Sequence, residues 1–200
     1  MKILGITGGS GSGKTTLLAA IEARGGLTLD CDAIYHRLLR TDRSLLAHLE
    51  ARFPKTVENG ALNRKKLGKI VFADPIALQD LSRITQGRVA QEVRALLGQS
   101  QAPLAAIDAI GLFESGLDAL CDATICVVAP LQDRIRRLML RDGLSMAEAE
   151  ARINAQCSDS ELSARCDYTL RNEASSKEEF LRQCSALLDT ITLHEKEFQP

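Results

Sequence analysis

Met1–Thr16, MKILGITGGSGSGKTT, is the stretch on which the fold turns. Its first seven residues are a short apolar run. They lead into Gly8-Gly9-Ser10-Gly11-Ser12-Gly13-Lys14-Thr15, an ungapped match to the G-x-x-x-x-G-K-[ST] pattern. After Lys14, Thr15 and Thr16, the residues Leu17, Leu18 and Ile21 with Ala19 and Ala20 keep helical spacing, so the order is strand, loop, helix. Glycines let a backbone wrap closely round an anion, so that successive N–H groups point inward and the helix N-terminus adds partial positive charge. The expected guest is a nucleotide phosphate. Lys14 supplies a point charge for the β- and γ-phosphates, and the Thr15 hydroxyl is a hard oxygen ligand for Mg²⁺. The alternative is a glycine-rich turn that merely opens a helix, and the complete pattern at the first strand counts against it.

The other 184 or so residues set the scale around that loop. With 200 residues and 45% hydrophobic content, the chain is expected to form a single domain, or one domain with a small insert. Charged residues make up 26% and nearly cancel to a net charge of -1, so bulk charge argues for neither nucleic acid nor a membrane surface. Cysteines stand at 31, 121, 126, 157, 166 and 184 without a C-x-x-C pair or zinc spacing, which predicts reduced thiols. No basic stretch leads into a long apolar one at the N-terminus, and no apolar run is long enough for a membrane span, so a cytoplasmic protein is expected.

Downstream, Gly25-Gly26 break the first helix and Leu27–Asp32 reads as a brief second strand ending in acid. On a strand Asp30 and Asp32 share a face, which points a carboxylate pair at the crevice of the phosphate loop; alternatively Asp30 orients the loop and Asp32 caps a helix starting near Ala33. Residues 33–99 read as almost entirely helical, with breaks at Phe53–Asn63 and Asp74-Pro75, a helical insert between the second and third strands. Pro103–Ile110 suits a central parallel strand, with Asp108 near its end either orienting hydrated Mg²⁺ or serving as a buried, hydrogen-bonded acid.

Ala123–Pro130 is a fourth strand, and Leu131–Arg141 returns to helix. Arg137 and Arg141 lie four apart on one face, suited to stabilising a transferring phosphoryl group or simply to complementing a helix C-terminus. Ser145 and Glu148 have capping-box spacing at the head of a helix reaching Gln156, and Tyr168-Thr169-Leu170 is a fifth strand. Phe180, Leu181, Cys184, Leu187, Leu188 and Ile191 form the apolar stripe of a last helix that docks on the sheet, followed by a polar tail from His194 to Pro200 expected to fray.

These stretches together resemble dephospho-CoA kinases from Met1 to about Leu188. The resemblance rests on ITGGSGSGKTT, LDCDAIYHRLL, LNRKKLGKIVFADPIAL, IDAIGLFESGL, RRLMLRDGLSMAEAEARINAQ and DYTLRN. It implies an α/β, three-layer P-loop nucleotide kinase fold: a parallel five-stranded sheet flanked by helices, with a helical substrate-binding insert and a helical lid. The core is expected at 1–32, 101–140 and 166–195, the insert at about 33–100 and the lid at about 141–165. The implied reaction moves the ATP γ-phosphate to the ribose 3′-hydroxyl of dephospho-CoA with Mg²⁺.

By the same resemblance, Lys14, Asp32 and Arg141 are catalytic, with Asp32 holding and partly deprotonating the acceptor hydroxyl. Gly8, Gly9, Gly11, Ser12, Gly13, Lys14, Thr15, Thr16, Arg137 and Asn172 bind ATP. Asp32, Tyr35, His36 and Glu114 take the acceptor, and Thr15 holds Mg²⁺ with Asp108 acting through water. No nucleic acid or membrane partner is implied, and the expected state is a monomer or small homo-oligomer.

Four places depart from the family's usual pattern. Gln86-Gly87 stands for His-Pro, Asp108–Glu114 lacks the proline of DxPLLFE, Leu162-Ser163 stands for Lys-Arg, and Arg171-Asn172-Glu173-Ala174 stands for Asp-Asn followed by Gly. The donor half therefore follows the family more closely than the acceptor half. Alternatives are a related kinase with another nucleoside-like acceptor and a non-catalytic ATP-binding paralogue. A GTPase switch or transport ATPase is disfavoured because N-K-x-D and L-S-G-G-Q are absent.

Overall fold

In a computed structural model that describes residues 1–193, the opening apolar run is a strand and the glycines after it a loop. The expected frayed tail, His194 to Pro200, lies outside the described residues. In chain order the elements are β1 (Lys2–Thr7), α1 (Lys14–Glu22), β2 (Leu27–Asp30), α2 (Cys31–Thr41), α3 (Arg43–Arg52), β3 (Val57–Glu58), β4 (Ala61–Leu62), α4 (Arg64–Val71), α5 (Pro75–Gln99), β5 (Leu104–Asp108), a 3₁₀ turn (Asp118–Leu120), β6 (Ala123–Val128), α6 (Leu131–Asp142), α7 (Met146–Asn154), α8 (Asp159–Arg165), β7 (Tyr168–Arg171) and α9 (Lys177–Leu193). Contacts divide the chain into two compact units, Met1–Thr28 with the residues from Gln101 onward, and Leu29–Ser100.

The first unit carries a parallel sheet whose strand order is β2-β5-β1-β6-β7. β1 lies between β5 and β6, with Ile6 opposite Asp108 and Thr7 opposite Cys126. This register brings the C-terminal ends of three strands level with the start of the glycine loop. Side chains alternate between the two faces. Leu4, Ile6, Leu104, Ala106, Ile125 and Val127 meet Leu17 and Ile21 of α1 and Phe180, Cys184, Leu188 and Ile191 of α9 in one cluster. On the opposite parity Cys126 and Val128 pack against Leu162 of α8 and Cys166. Leu181, read as part of the α9 stripe, is instead 40% exposed. All six cysteines are free thiols.

The second unit differs from its sequence reading in three places. β2 stops at Asp30, whose side chain accepts from the Ala33 N–H at 2.9 Å and so caps α2 two residues earlier than expected. Asp32 therefore sits in the first helical turn, and the argument that Asp30 and Asp32 share a strand face falls. Asp42 adds a break by accepting from Leu45 N–H and thus starting α3. The expected gap at Phe53–Asn63 holds the two-stranded pair β3–β4, turned by Asn59 (φ 50°) and Gly60 (φ 77°). Glu50 supports the approach to that turn by accepting the N–H groups of Lys55, Thr56 and Val57.

Candidate active site

The phosphate loop is held from several sides within the first unit. Gly13 is the residue before α1, with φ 110° and ψ 17°, a left-handed conformation that disfavours any side chain. A Cβ there would also run into the Asn172 amide and stand 3.2 Å from the Phe180 ring. Asn172 is buried and donates through Nδ2 to the Ser12 carbonyl at 2.8 Å, while its own N–H bonds to Val128 at the end of β6. Arg137 donates from Nη1 to the carbonyls of Gly11 at 2.9 Å and Ser12 at 3.3 Å. Lys14 Nζ donates to the Gly8 carbonyl at 2.8 Å, folding its ammonium back over the loop mouth.

The remaining loop residues differ in exposure. Thr16 is buried and Thr15 exposed, so the Thr15 hydroxyl faces outward at the head of α1. Ser12 Oγ is buried and, among the described residues, makes no hydrogen bond. Asp108 is half-buried at the last position of β5, directly beside Ile6. Alongside the loop lies a cavity of about 280 Å³ lined by residues including Thr15, Thr16, Arg137, Asn172, Ser175 and Phe180. It joins polar walls to an aromatic edge, which suits a nucleotide's base and sugar more than a lipid.

Arg141 is not brought to this loop. It forms a two-pronged pair with Asp142, Nε at 2.7 Å and Nη2 at 2.9 Å, which stabilises its charged form, and Arg152 donates to the same carboxylate. Glu114 accepts from Arg165 Nη1 at 2.7 Å, and the same guanidinium lies 4.2 Å over the Phe113 ring. In the second unit Asp32 is exposed and, among the described residues, makes no hydrogen bond or ion pair. Tyr35 is half-buried; desolvation raises its pKa, and the Arg64 charge partly opposes that. His36 stacks at a tilt 5.4 Å from Tyr35 and accepts from Arg64 Nη2 at Nδ1, which requires that nitrogen to be unprotonated.

A family model described as dephospho-CoA kinase matches residues 2–178. The chain belongs to the dephospho-CoA kinase family. A dephospho-CoA kinase of Anaeromyxobacter dehalogenans is 41% identical over 177 residues, covering 86% of this chain and 84% of that protein. A crystal structure from Thermus thermophilus superposes with a TM-score of 0.79 at 35% identity, covering 100% of this chain and 98% of the other. The dephospho-CoA kinase from Campylobacter jejuni gives 0.65 at 25% identity, covering 98% and 100%.

Within this kinase family member, sequence reasoning missed two residues that bond to the loop, Arg134 and Gln156. Arg134 is buried and donates to the Ser10 carbonyl, and Gln156 bonds both the N–H and the hydroxyl of Ser10. Arg134 precedes Arg137 by three positions, so the helical stripe used for Arg137 and Arg141 would have included it. Gln156 lies past the end of α7 and has no comparable signal.

Proposed function

We infer that this chain transfers the γ-phosphoryl group of ATP to the ribose 3′-hydroxyl of dephospho-CoA, giving ADP and coenzyme A. The observation that carries this reading is the family match over residues 2–178 on a chain whose phosphate loop is intact and held by Arg137 and Asn172. ATP lies with its phosphates in the loop from Gly8 to Thr15, Gly9, Gly11, Ser12 and Gly13 lending the backbone. Its adenosine extends past Thr16 into the cavity beside Asn172. Lys14 leaves the Gly8 carbonyl for the phosphate oxygens, and Arg137 adds charge from the other side. Arg141 joins them once it gives up Asp142, within a lid formed by residues 141–165 that excludes water.

Asp32 takes the proton of the acceptor hydroxyl. Its uncommitted carboxylate supports that role, whereas Asp30 is spent on capping. Tyr35, His36 and Glu114 receive the acceptor's nucleoside part. The donor set also fits Mg²⁺. The Thr15 hydroxyl and Asp108 carboxylate are hard oxygens, and among the described residues no cluster of three or more His, Cys, Asp or Glu forms a self-sufficient metal cage. Such a set suits an ion that takes most of its ligands from phosphate and water and neutralises charge on the phosphates. No described helix is long and apolar enough to cross a membrane, and a cytoplasmic setting agrees with a nucleotide substrate.

The test is to incubate purified protein with Mg-ATP, with and without dephospho-CoA, and to follow ADP and coenzyme A by mass spectrometry. Equal amounts of both products, formed only with acceptor, are expected. ADP released without acceptor would indicate an ATPase, and no coenzyme A from folded protein would overturn the acceptor.

A further inference from the structure

Every polar group of Ser10, in the upstream arm of the phosphate loop, is taken. Its N–H donates to Gln156 Oε1 at 2.9 Å, its carbonyl accepts from Arg134 Nε at 3.0 Å, and its hydroxyl accepts from Gln156 Nε2 at 3.0 Å. Arg134 also reaches Gln156 Oε1 through Nη2 at 3.5 Å and donates from Nη1 to Asp159 Oδ1 at 2.9 Å. One guanidinium thus ties together α6, which carries it, the loop, the residue just past α7 and the first residue of α8. Its side chain is only 6% exposed.

A charge so buried needs partners to offset its desolvation, and here each of the three guanidinium nitrogens makes a hydrogen bond. Lysine could not replace it, because a single ammonium lacks the planar fork that addresses three acceptors in fixed directions. The loop is moulded to this side chain. A Cβ at Gly9 would collide with the Arg134 guanidinium, and one at Gly11 would stand 2.8 Å from the Arg134 carbonyl oxygen. Gly9 and Gly11, at variable positions of the motif, therefore make room for Arg134 and its backbone.

The one anion these bonds meet is the protein's own Asp159 carboxylate. Ser10 N–H is occupied by Gln156, and Arg134 is committed to a carbonyl and a carboxylate. We propose that Arg134, Gln156 and Asp159 are positioning residues for the donor nucleotide: a clamp that holds the upstream arm of the loop in its phosphate-accepting shape and couples that shape to α7 and α8. A loop held this way before ATP arrives spares binding the ordering of that arm. This inference rests on ATP being the donor. It predicts an effect on nucleotide affinity and none on the acceptor.

The test uses the full chain with Arg134→Lys and, separately, Gln156→Leu, measuring KM for ATP and for dephospho-CoA and the Kd of a non-hydrolysable ATP analogue by calorimetry. Each substitution is expected to raise nucleotide KM and Kd about ten-fold, the scale of losing hydrogen bonds to a charged or desolvated group, with the acceptor KM at its parental value. Methylguanidinium added to Arg134→Ala should restore part of the nucleotide affinity, which a loss of general stability would not allow. Parental nucleotide affinity in either folded variant, or an equal rise in both KM values, overturns the clamp. Should the Arg134 variants fail to fold, Gln156→Leu decides the matter, since Gln156 is only half-buried. A parent that makes no coenzyme A sinks the proposed function, whereas the calorimetric Kd still tests the clamp.

Discussion

Asp30 and Asp32 carry the same carboxylate two positions apart and do different physical work. Asp30 satisfies an N–H that the first turn of α2 would otherwise leave unpaired, while Asp32 projects into solvent from that turn. Asp30→Ala is expected to lower unfolding free energy by about 1 kcal/mol, the usual effect of losing such a cap, as read from urea denaturation. Asp32→Asn should leave the denaturation midpoint and ATP affinity in place and lower kcat by roughly 10²–10⁴, the range of a lost general base. Parental turnover by Asp32→Asn would remove it from the chemistry. The sequence made both acids visible but not their division of labour, because that depends on where β2 stops. A two-residue shift exchanges a strand end for a helix start, and local composition does not fix such a boundary. Arg134 was hidden for another reason. An arginine on a helix is normally solvated, and only the tertiary approach of Ser10 and Asp159 buries this one.

At the scale of elements, legibility follows how much a pattern depends on distant partners. The central strands β1, β5 and β6 are apolar on both parities because both faces are covered, and α9 shows its stripe, so these could be placed from sequence. The β3–β4 pair is two residues a side and signals itself only through Asn59-Gly60, both at positive φ. Helix α8 is seven residues long, and its start is marked by a capping box of Ser158 and Glu161 that the sequence displays but that about two turns of helix barely reinforce. Leu162, which stands where the family's usual pattern has a basic pair, is a core residue packed on Cys126 and Val128. Phe180 shows what docking α9 contributes. It is 1% exposed and lies against the loop at Gly13. Phe180→Ala should destabilise the protein by about 3–5 kcal/mol, the cost of emptying an aromatic site in a core, with an unfolding midpoint in denaturant that falls accordingly. A change below about 1 kcal/mol would mean that α9 is not part of the cooperative core.

Across the whole molecule, carboxylates are used as structural acceptors, and this sets the response to acid. In the unit of residues 29–100, Asp42 is held below its ordinary pKa by the Leu45 N–H and by Arg88, Glu50 by the N–H groups of Val57 and Lys55, and Glu58 by Lys66. Arg52 does the same for Asp80 and Arg37 for Glu92. In the other unit Arg141 lowers Asp142, and hydrogen bonds from Ser145, Ser158 and Ser175 lower Glu148, Glu161 and Glu179. Each of these groups has a folded pKa below its unfolded one, so as pH falls the unfolded chain takes up protons first. The stability they contribute is fully present above the unfolded values and is lost as pH drops through the folded ones. The melting temperature is therefore expected to hold down to about pH 5 and to fall steeply below about pH 4, where unfolded carboxylates titrate. Circular dichroism melts across that range measure it. Because Glu50 gathers three backbone N–H groups, Glu50→Gln should lower the melting temperature at pH 7 and flatten its acid slope. A melting temperature that rises on acidification, or a Glu50→Gln slope as steep as the parent's, would show that these carboxylates do not govern the acid limb.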